Sequence, residues 1–310
     1  MKLPQFTPRR ELGRTGFKAT LLGIGDLADR KVPLADCAAT VRRALEAGLN
    51  LIDTAPAYED GYSEQIVGAA LQGRREGVFV IDKIDHLHQA VAPQVDASLA
   101  RLGLFAADLF VFHGVSKLED WRRLAAPQGG LEQLAACVRA GKAKFRGIST
   151  HHPDVARAAI LSGLCDVILF PIGPFAAARY AEEILPLARQ RGVGTVCFKT
   201  FGAGKLLGDT TGYSRPLEER PRGKFSSGGK DNPAQPLLPH LSVAECVHYT
   251  LTCDPDVALL GLSFPSEQEA AFAAAKNFKP LTPAQMEEIR RRGSEAIQGK
   301  GPCWWNPPAA

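Results

Sequence analysis

The chain has 310 residues, with 37 basic and 33 acidic side chains and a formal net charge of +4. Hydrophobic residues make up 45% and charged residues 23%, a composition that excludes a disordered or collagen-like chain. The small positive charge is not gathered on one element, so a nucleic-acid partner is disfavoured.

Targeting, membrane and metal signals are absent from the sequence pattern. No apolar run approaches the roughly eighteen residues of a membrane span, and the first ten residues, MKLPQFTPRR, lack the apolar core of a secretory signal. The seven cysteines are scattered, with neither a C-x-x-C pair nor a zinc-like Cys/His spacing. We therefore expect a cytoplasmic protein with reduced cysteines, no structural metal and no membrane partner.

Short β-rich runs alternate with stretches of helical periodicity along the chain. The predicted strands are residues 20–25, 50–53, 78–83, 108–113, 144–149, 167–170, 194–198 and 257–261. Eight strand–helix units predict a parallel (β/α)8 TIM barrel, one domain over residues 1–310. An open dinucleotide-binding sheet is disfavoured, because the turn after the first strand has Gly23 and Gly25 but no third glycine.

Four further features surround the predicted barrel. Residues 11–20 carry glycines at turn positions and predict an N-terminal β-hairpin that plugs the barrel bottom. Long loops are predicted after strand four, at residues 114–130, and after strand seven, at residues 202–241. Thr282 and Gln285 form a capping box that predicts a C-terminal helix, with a tail, over residues 282–310.

Titratable side chains occur at the predicted carboxyl ends of three successive strands, the face of a barrel where active sites lie. Asp53 ends strand two with Tyr58 in its loop, Lys83 ends strand three, and His113 ends strand four. A lysine beneath a barrel mouth needs a carboxylate partner, because an unpaired buried charge is costly. Asp53 on the neighbouring strand is placed to supply it.

This set suits proton transfer at a carbonyl or alcohol. A tyrosine has a reference pKa near 10, too high for efficient proton exchange at neutral pH. An ammonium about 4 Å away, at an effective dielectric of about 20, contributes roughly 4 kcal/mol toward the phenolate. Lys83 held by Asp53 can therefore make Tyr58 a general acid and base, while His113 orients the substrate oxygen. No side chain supplies a hydride, so a nicotinamide cofactor is implied.

Residues 48–58, GLNLIDTAPAY, followed by Ser63, Glu64 and Gly68, resemble the signature of the aldo-keto reductase family. Residues 78–83 and 107–113 resemble the segments that carry the family's Lys and His, so its tetrad falls on Asp53, Tyr58, Lys83 and His113. The likeness runs from the hairpin to about residue 275. It implies an NADP-dependent, or NAD-dependent, oxidoreductase.

The resemblance also implies a cofactor-binding set along the strand ends. Its members are Gly25, Asp26, Ser149, Thr150, Phe198, Lys199, Gly204, Ser263, Ser266 and Gln268. We expect Phe198 to stack on the nicotinamide, and Ser266 with Glu269 to form a capping box whose helix amides receive phosphate. The family's Asn and Gln at the nicotinamide are missing, with Leu169 in place of the Gln, and no Arg or Lys marks a 2′-phosphate site.

The substrate pocket is expected to be lined by Tyr58, His113, Trp121 and Trp304. The substrate would be a small carbonyl compound or a sugar, and the oligomeric state stays open. Two alternatives remain: a sugar or polyol dehydrogenase working oxidatively, and a cofactor-binding redox sensor with little turnover. A lyase with Lys83 as a Schiff base is disfavoured, because Asp53 keeps a lysine protonated.

Overall fold

The computed structural model describes residues 5–25, 30–207, 239–262, 264–300, 303 and 305–306. Eight parallel strands close into a barrel in chain order, which confirms the predicted (β/α)8 fold. The strands are β3 (Leu22–Gly25), β4 (Leu51–Asp53), β5 (Phe79–Ile84), β6 (Ala107–Phe112), β7 (Ala143–Ser149), β8 (Val167–Pro171), β9 (Gly194–Phe198) and β10 (Val257–Gly261).

Helices surround the barrel, and all except the fourth lie in stretches where the 3.6-residue periodicity predicts them. They are α1 (Leu34–Glu46), α2 (Tyr62–Leu71), α3 (Val91–Leu102), α4 (Leu118–Ala125), α5 (Gly130–Arg139), α6 (Pro153–Ser162), α7 (Leu185–Gln190), α8 (Val243–Thr252), α9 (Pro265–Lys276) and α10 (Pro283–Ile297). A π-helical turn, Tyr180–Ile184, leads into α7.

Side chains alternate along each strand between the barrel interior and the helix-facing layer. On β5, Phe79 and Ile81 belong to the apolar cluster inside the barrel, whereas Val80 packs in the larger cluster beneath the helices. The same alternation directs Lys83 inward at the end of β5 and Asp82 outward. The strand pattern thus decides which of two adjacent charges reaches the mouth of the barrel.

The N-terminal hairpin pairs β1 (Arg10–Glu11) with β2 (Lys18–Ala19) in antiparallel register. Leu12 and Ala19 are fully buried and join the interior cluster, so the hairpin closes the barrel bottom as expected. Gly13 is at φ +51°, and a Cβ there would lie 2.2 Å from the Gly194 amide nitrogen. Only glycine lets the hairpin backbone approach β9 this closely.

Two sequence predictions need correction. Residues 114–130 are not simply a loop, because α4 lies within them and buries Trp121 and Leu124 on its inner face. Helix α9 begins at Pro265, where the Phe264 amide donates to Glu267 at 3.2 Å, so Ser266 and Glu269 do not form the predicted capping box.

The predicted capping box of α10 is confirmed. The Gln285 amide donates to the Thr282 hydroxyl at 3.3 Å, and the Thr282 amide donates to Gln285 Oε1 at 2.9 Å. Most of the predicted loop 202–241 lies outside the described residues. Within the described ranges, no helix is both long and apolar enough to cross a membrane, and no cluster of three His, Cys, Asp or Glu side chains is placed to hold a metal ion.

Candidate active site

A buried ion pair lies at the carboxyl ends of β4 and β5. Lys83 Nζ donates to Asp53 Oδ2 at 2.6 Å and to the Thr54 carbonyl oxygen at 2.7 Å. The two side chains are only 2% and 3% exposed, so their attraction is little screened by water. The carboxylate and carbonyl oxygens hold the ammonium at one position.

Tyr58 lies against this ammonium. Lys83 Nζ is 4.5 Å from the centroid of the Tyr58 ring. The loop that carries the tyrosine is fastened at both ends, because the Thr54 hydroxyl donates to Ser63 Oγ at 2.8 Å and the Ser63 amide donates to the Tyr58 carbonyl. The half-buried phenol is therefore both fixed and next to a positive charge.

His113 follows β6 directly and is the fourth side chain of this group. Its ring centroid is 5.7 Å from that of Tyr58, with the two rings edge to face. The structure thus brings Asp53, Tyr58, Lys83 and His113 together, as their positions at three successive strand ends predict.

Sequence reasoning missed one member of this group, Asp85. Its Oδ1 lies 2.5 Å from His113 Nδ1, and its Oδ2 accepts a 2.7 Å hydrogen bond from the Ala57 amide. Burial alone would raise the pKa of Asp85, but its contacts with His113 and Ala57 lower that pKa below the ordinary value. A signal existed in the sequence, because Asp85 follows Lys83 by two residues and so continues the inward-facing side of β5.

A second set of buried charges lies behind the strand, between barrel and helices. Glu64 is fully buried and accepts a 3.0 Å hydrogen bond from Arg101 Nη2. Asp82 is fully buried, and its Oδ2 has no hydrogen-bond partner in the described part of the chain. Burial and the nearby Glu64 carboxylate raise the pKa of Asp82 well above its ordinary value.

An aromatic pair lies across the barrel mouth. The His151 ring is 5.2 Å from the half-buried Phe198 ring, tilted by 56°. Burial lowers the pKa of His151 to about 3, with further contributions from Lys199 and His113. Above pH 5 this imidazole is therefore neutral, and it can both donate and accept a hydrogen bond.

The expected nicotinamide-binding segment ends β7. Ser149 and Thr150 are buried, and the Thr150 hydroxyl accepts from the His152 amide at 3.1 Å. Leu169, at the position expected for a Gln, belongs to the apolar interior cluster. The polar side chains at this strand end are therefore those of Ser149, Thr150 and His151.

Glycines leave space at the strand ends. Gly25 and Gly261 lie opposite each other in the β3–β10 register, and a Cβ on Gly25 would lie 3.1 Å from the Asp53 side chain. Lys199 and Gly204 adopt left-handed backbone angles, φ +70° and +83°, in the turn after β9. Lys199 Nζ lies 5.8 Å from the Phe198 ring centroid. Of these residues, Gly25 lies directly against the Asp53 side chain of the buried ion pair.

The remaining predicted cofactor residues have mixed positions. Gln268 is buried in α9 and donates to the Thr40 carbonyl at 2.8 Å, so its amide ties α9 to α1. Ser266 lies within the first turn of α9, one residue after its first residue. The first residue of α9, Pro265, comes four residues after the end of β10 at Gly261, so the helix begins close to that strand end. Asp26 and Ser263 lie outside the described residues.

Of the two predicted substrate tryptophans, Trp121 lies within the described residues. Trp121 is 6% exposed and packs in the core, so its burial in α4 does not fit a substrate-contacting role. Trp304 lies outside the described residues. Its neighbour Trp305 is buried and donates to the Phe175 carbonyl at 3.2 Å. Lys199 and Lys205 both point over its ring, at 5.8 and 5.6 Å.

Comparison with known proteins agrees with this geometry. The NADH-specific methylglyoxal reductase of Escherichia coli (strain K12) is 29% identical over 68% of this chain and 70% of its own length. The L-galactose dehydrogenase of Arabidopsis thaliana is 29% identical over 64% of this chain and 66% of its own. Among solved structures, the holo form of an aldo-keto reductase from Bacillus halodurans has a TM-score of 0.67 at 24% identity, over 91% of this chain and 95% of its own.

The family model of the aldo/keto reductases matches residues 21–291, which is the barrel from its first strand into the last helix. This match covers most of the chain and includes every side chain around the Lys83 pair. The chain therefore belongs to the aldo/keto reductase family, and it is an oxidoreductase of that type.

Proposed function

We propose that the chain reduces a small carbonyl compound with a nicotinamide dinucleotide, using Tyr58 as the proton donor. The observation that carries the proposal is the Lys83 ammonium, fixed by buried Asp53 and 4.5 Å from the Tyr58 ring centroid. A cation at this distance in a poorly screened site favours the phenolate over the phenol. The phenol can then release its proton as the substrate oxygen gains electrons.

The residues around the mouth fit a nicotinamide dinucleotide. Phe198 offers a ring face for the nicotinamide, and Ser149 with neutral His151 offers hydrogen bonds to its carboxamide. Gly25 and Gly261 keep the strand ends open, and the first amides of α9 suit a phosphate. When bound, the dinucleotide supplies the hydride that no side chain can provide.

The protein residues then have distinct tasks. His113 binds the substrate oxygen and aims it at the Tyr58 hydroxyl. Lys83 stabilises the negative charge that develops on the phenol oxygen as the proton leaves. Asp53 holds Lys83 in place and does not itself exchange the proton. In the oxidative direction the same groups work in reverse, with Tyr58 receiving the proton of the alcohol.

NADP and NAD both remain candidates for the cofactor. The relative from Escherichia coli is named as NADH-specific, and no Arg or Lys follows β10 directly to pair with a 2′-phosphate. Lys199 is a cation near the proposed nicotinamide site, because its Nζ lies 5.8 Å from the Phe198 ring centroid. Fluorescence titration of the purified protein with NADPH and with NADH decides between them.

The direct test of the reaction is a panel of aldehydes, dicarbonyls such as methylglyoxal, and sugars, assayed with Tyr58→Phe as the matched variant. We expect turnover to fall about 10²–10⁴-fold in Tyr58→Phe, since this is the usual contribution of general acid catalysis. Cofactor affinity is expected to stay unchanged. Full activity in Tyr58→Phe would refute the proposal.

Two alternative functions have distinct outcomes in the same assays. The L-galactose dehydrogenase relative favours an alcohol-oxidising enzyme, which would show turnover with sugars or polyols and the oxidised cofactor. Tight cofactor binding without turnover on the whole panel would indicate a redox sensor instead.

A further inference from the structure

We propose that Asp85 is a positioning residue that fixes the proton of neutral His113 on Nδ1 and so determines which hydrogen bond Nε2 offers to the substrate oxygen. This inference rests on the proposed function for its catalytic consequence. Its structural part, the position of the proton on His113, does not depend on turnover.

Asp85 contacts the two candidate catalytic loops at once. Its Oδ1 lies 2.5 Å from His113 Nδ1, and its Oδ2 accepts from the Ala57 amide, one residue before Tyr58. Both side chains are largely shielded, with His113 24% and Asp85 16% exposed. One carboxylate therefore links the loop carrying Tyr58 to the residue that orients the substrate oxygen.

The tautomer follows from the chemistry of the two partners. An ionised carboxylate can only accept hydrogen bonds. Asp85 is ionised near neutral pH, because its contacts with His113 and Ala57 lower its pKa even though burial acts in the opposite direction. The proton of a neutral His113 must then lie on Nδ1, which leaves Nε2 with a lone pair. Only the doubly protonated ring has an N–H at both nitrogens.

The two reaction directions make opposite demands on Nε2. A carbonyl oxygen can only accept, so Nε2 must carry a proton to bind it. An alcohol hydroxyl can donate, so the lone pair on Nε2 suffices. A carbonyl is therefore bound through Nε2 only by the doubly protonated ring, whereas an alcohol is also bound by the neutral one.

Other charged or titratable groups also surround His113. Lys83 and Asp53 act from β5 and β4, Tyr58 packs edge-on from its loop, and His151 acts from the end of β7. Lys83 and Asp53 form a pair whose charges largely cancel, and His151 is neutral above pH 5. Asp85 is thus the carboxylate in direct contact with the His113 ring.

The substitution Asp85→Asn reverses the tautomer without removing the side chain. The Ala57 amide is a donor, so the asparagine oxygen must face Ala57 and its NH2 must face His113 Nδ1. Neutral His113 then carries its proton on Nε2, where it can bind a carbonyl. Asp85→Ala removes both contacts and serves as the comparison.

Nitrogen NMR of the histidine side chains tests the structural part on the protein alone. The His113 signals are assigned by their loss in His113→Gln. In the wild type we expect neutral His113 to be protonated on Nδ1, and in Asp85→Asn on Nε2. Asp154→Asn, which alters an exposed carboxylate beside His152, is the matched control and should leave the His113 signals unchanged. A wild-type proton on Nε2, or the same tautomer in Asp85→Asn, would overturn the inference.

Rates measured in both directions from pH 5 to 9 test the catalytic part. We expect Asp85→Asn to retain a larger share of its kcat/KM for reduction at high pH than the wild type does, whereas any decline that comes from Tyr58 as the proton donor is common to both. Asp85→Ala should lower kcat about 100-fold, as for a displaced catalytic group, with Asp85→Asn recovering much of the loss at pH 8. Identical pH profiles in wild type and Asp85→Asn would contradict the proposed role. Absence of turnover with a normal NMR result would instead refute the proposed function alone.

Discussion

Removing the charge of one member of the Lys83–Asp53 pair should destabilise the protein far more than removing both. At 2.6 Å and an effective dielectric of about 20, the Coulomb attraction is about 6 kcal/mol. Much of it is offset by the cost of taking both charges out of water. Asp53→Asn and Lys83→Met each leave one buried charge without its partner. We expect each substitution to lower the free energy of unfolding by about 3–5 kcal/mol.

The double variant Asp53→Asn/Lys83→Met leaves no unpaired charge and should recover most of this loss. Urea unfolding followed by far-UV circular dichroism gives the four free energies of the cycle. Glu119→Gln, which breaks an exposed pair with Arg123 on one helix face, is the control and should cost less than about 0.5 kcal/mol. If the effects of Asp53→Asn and Lys83→Met simply add to within about 0.5 kcal/mol, the two charges are not coupled and the reasoning fails.

Three further variants test other parts of the structure. Burial and Glu64 raise the pKa of Asp82 above its value in the unfolded chain, so the wild type loses stability as pH rises from about 4. Asp82→Asn should therefore have the higher Tm at pH 7, with a difference that shrinks toward pH 4. An equal difference in Tm at both pH values would contradict this. Gly147→Ala would place a Cβ 1.9 Å from the Val167 carbonyl oxygen. It should lower the free energy of unfolding, measured in urea, by about 3 kcal/mol or more. Wild-type stability in this variant would contradict the prediction and show that the two strands can separate. His151→Asn should change the dissociation constant of the dinucleotide but not the pH dependence of that constant from pH 5 to 9, because burial lowers the pKa of His151 to about 3. A pH-dependent step in wild-type binding that is lost in His151→Asn would refute this.

The sequence predicts the barrel well because strand and helix periodicities are local. All eight predicted strands lie within two residues of the observed bounds, and Asp53, Lys83 and His113 end or follow three neighbouring strands. Parallel strands have their carboxyl ends on one side, so the grouping of these side chains follows from topology alone.

The errors arise where a local pattern has two interpretations. Ser266 and Glu269 have capping-box spacing, but the helix is capped two residues earlier, at Phe264, whose amide donates to Glu267. Helix α4 was missed although Trp121 and Leu124 lie three residues apart, because Pro and Gly residues later in the same stretch favoured a loop.

The missed site residues depend on contacts between distant segments. Asp85 has a role only because the loop after β4 brings Ala57 to one of its oxygens and β6 brings His113 to the other. The burial of Asp82 likewise depends on how the helices pack around β5, with α2 bringing the Glu64 carboxylate near it. Neither contact follows from the spacing of residues in a single segment.

The most direct measurement of the central claim is a single turnover with cofactor deuterated at the transferred position of the nicotinamide. We expect deuterium to appear in the product alcohol with a primary isotope effect in the wild type. In Tyr58→Phe the step should slow about 10²–10⁴-fold with the cofactor still bound. Deuterium that stays on the cofactor, or transfer at the wild-type rate in Tyr58→Phe, would contradict the account.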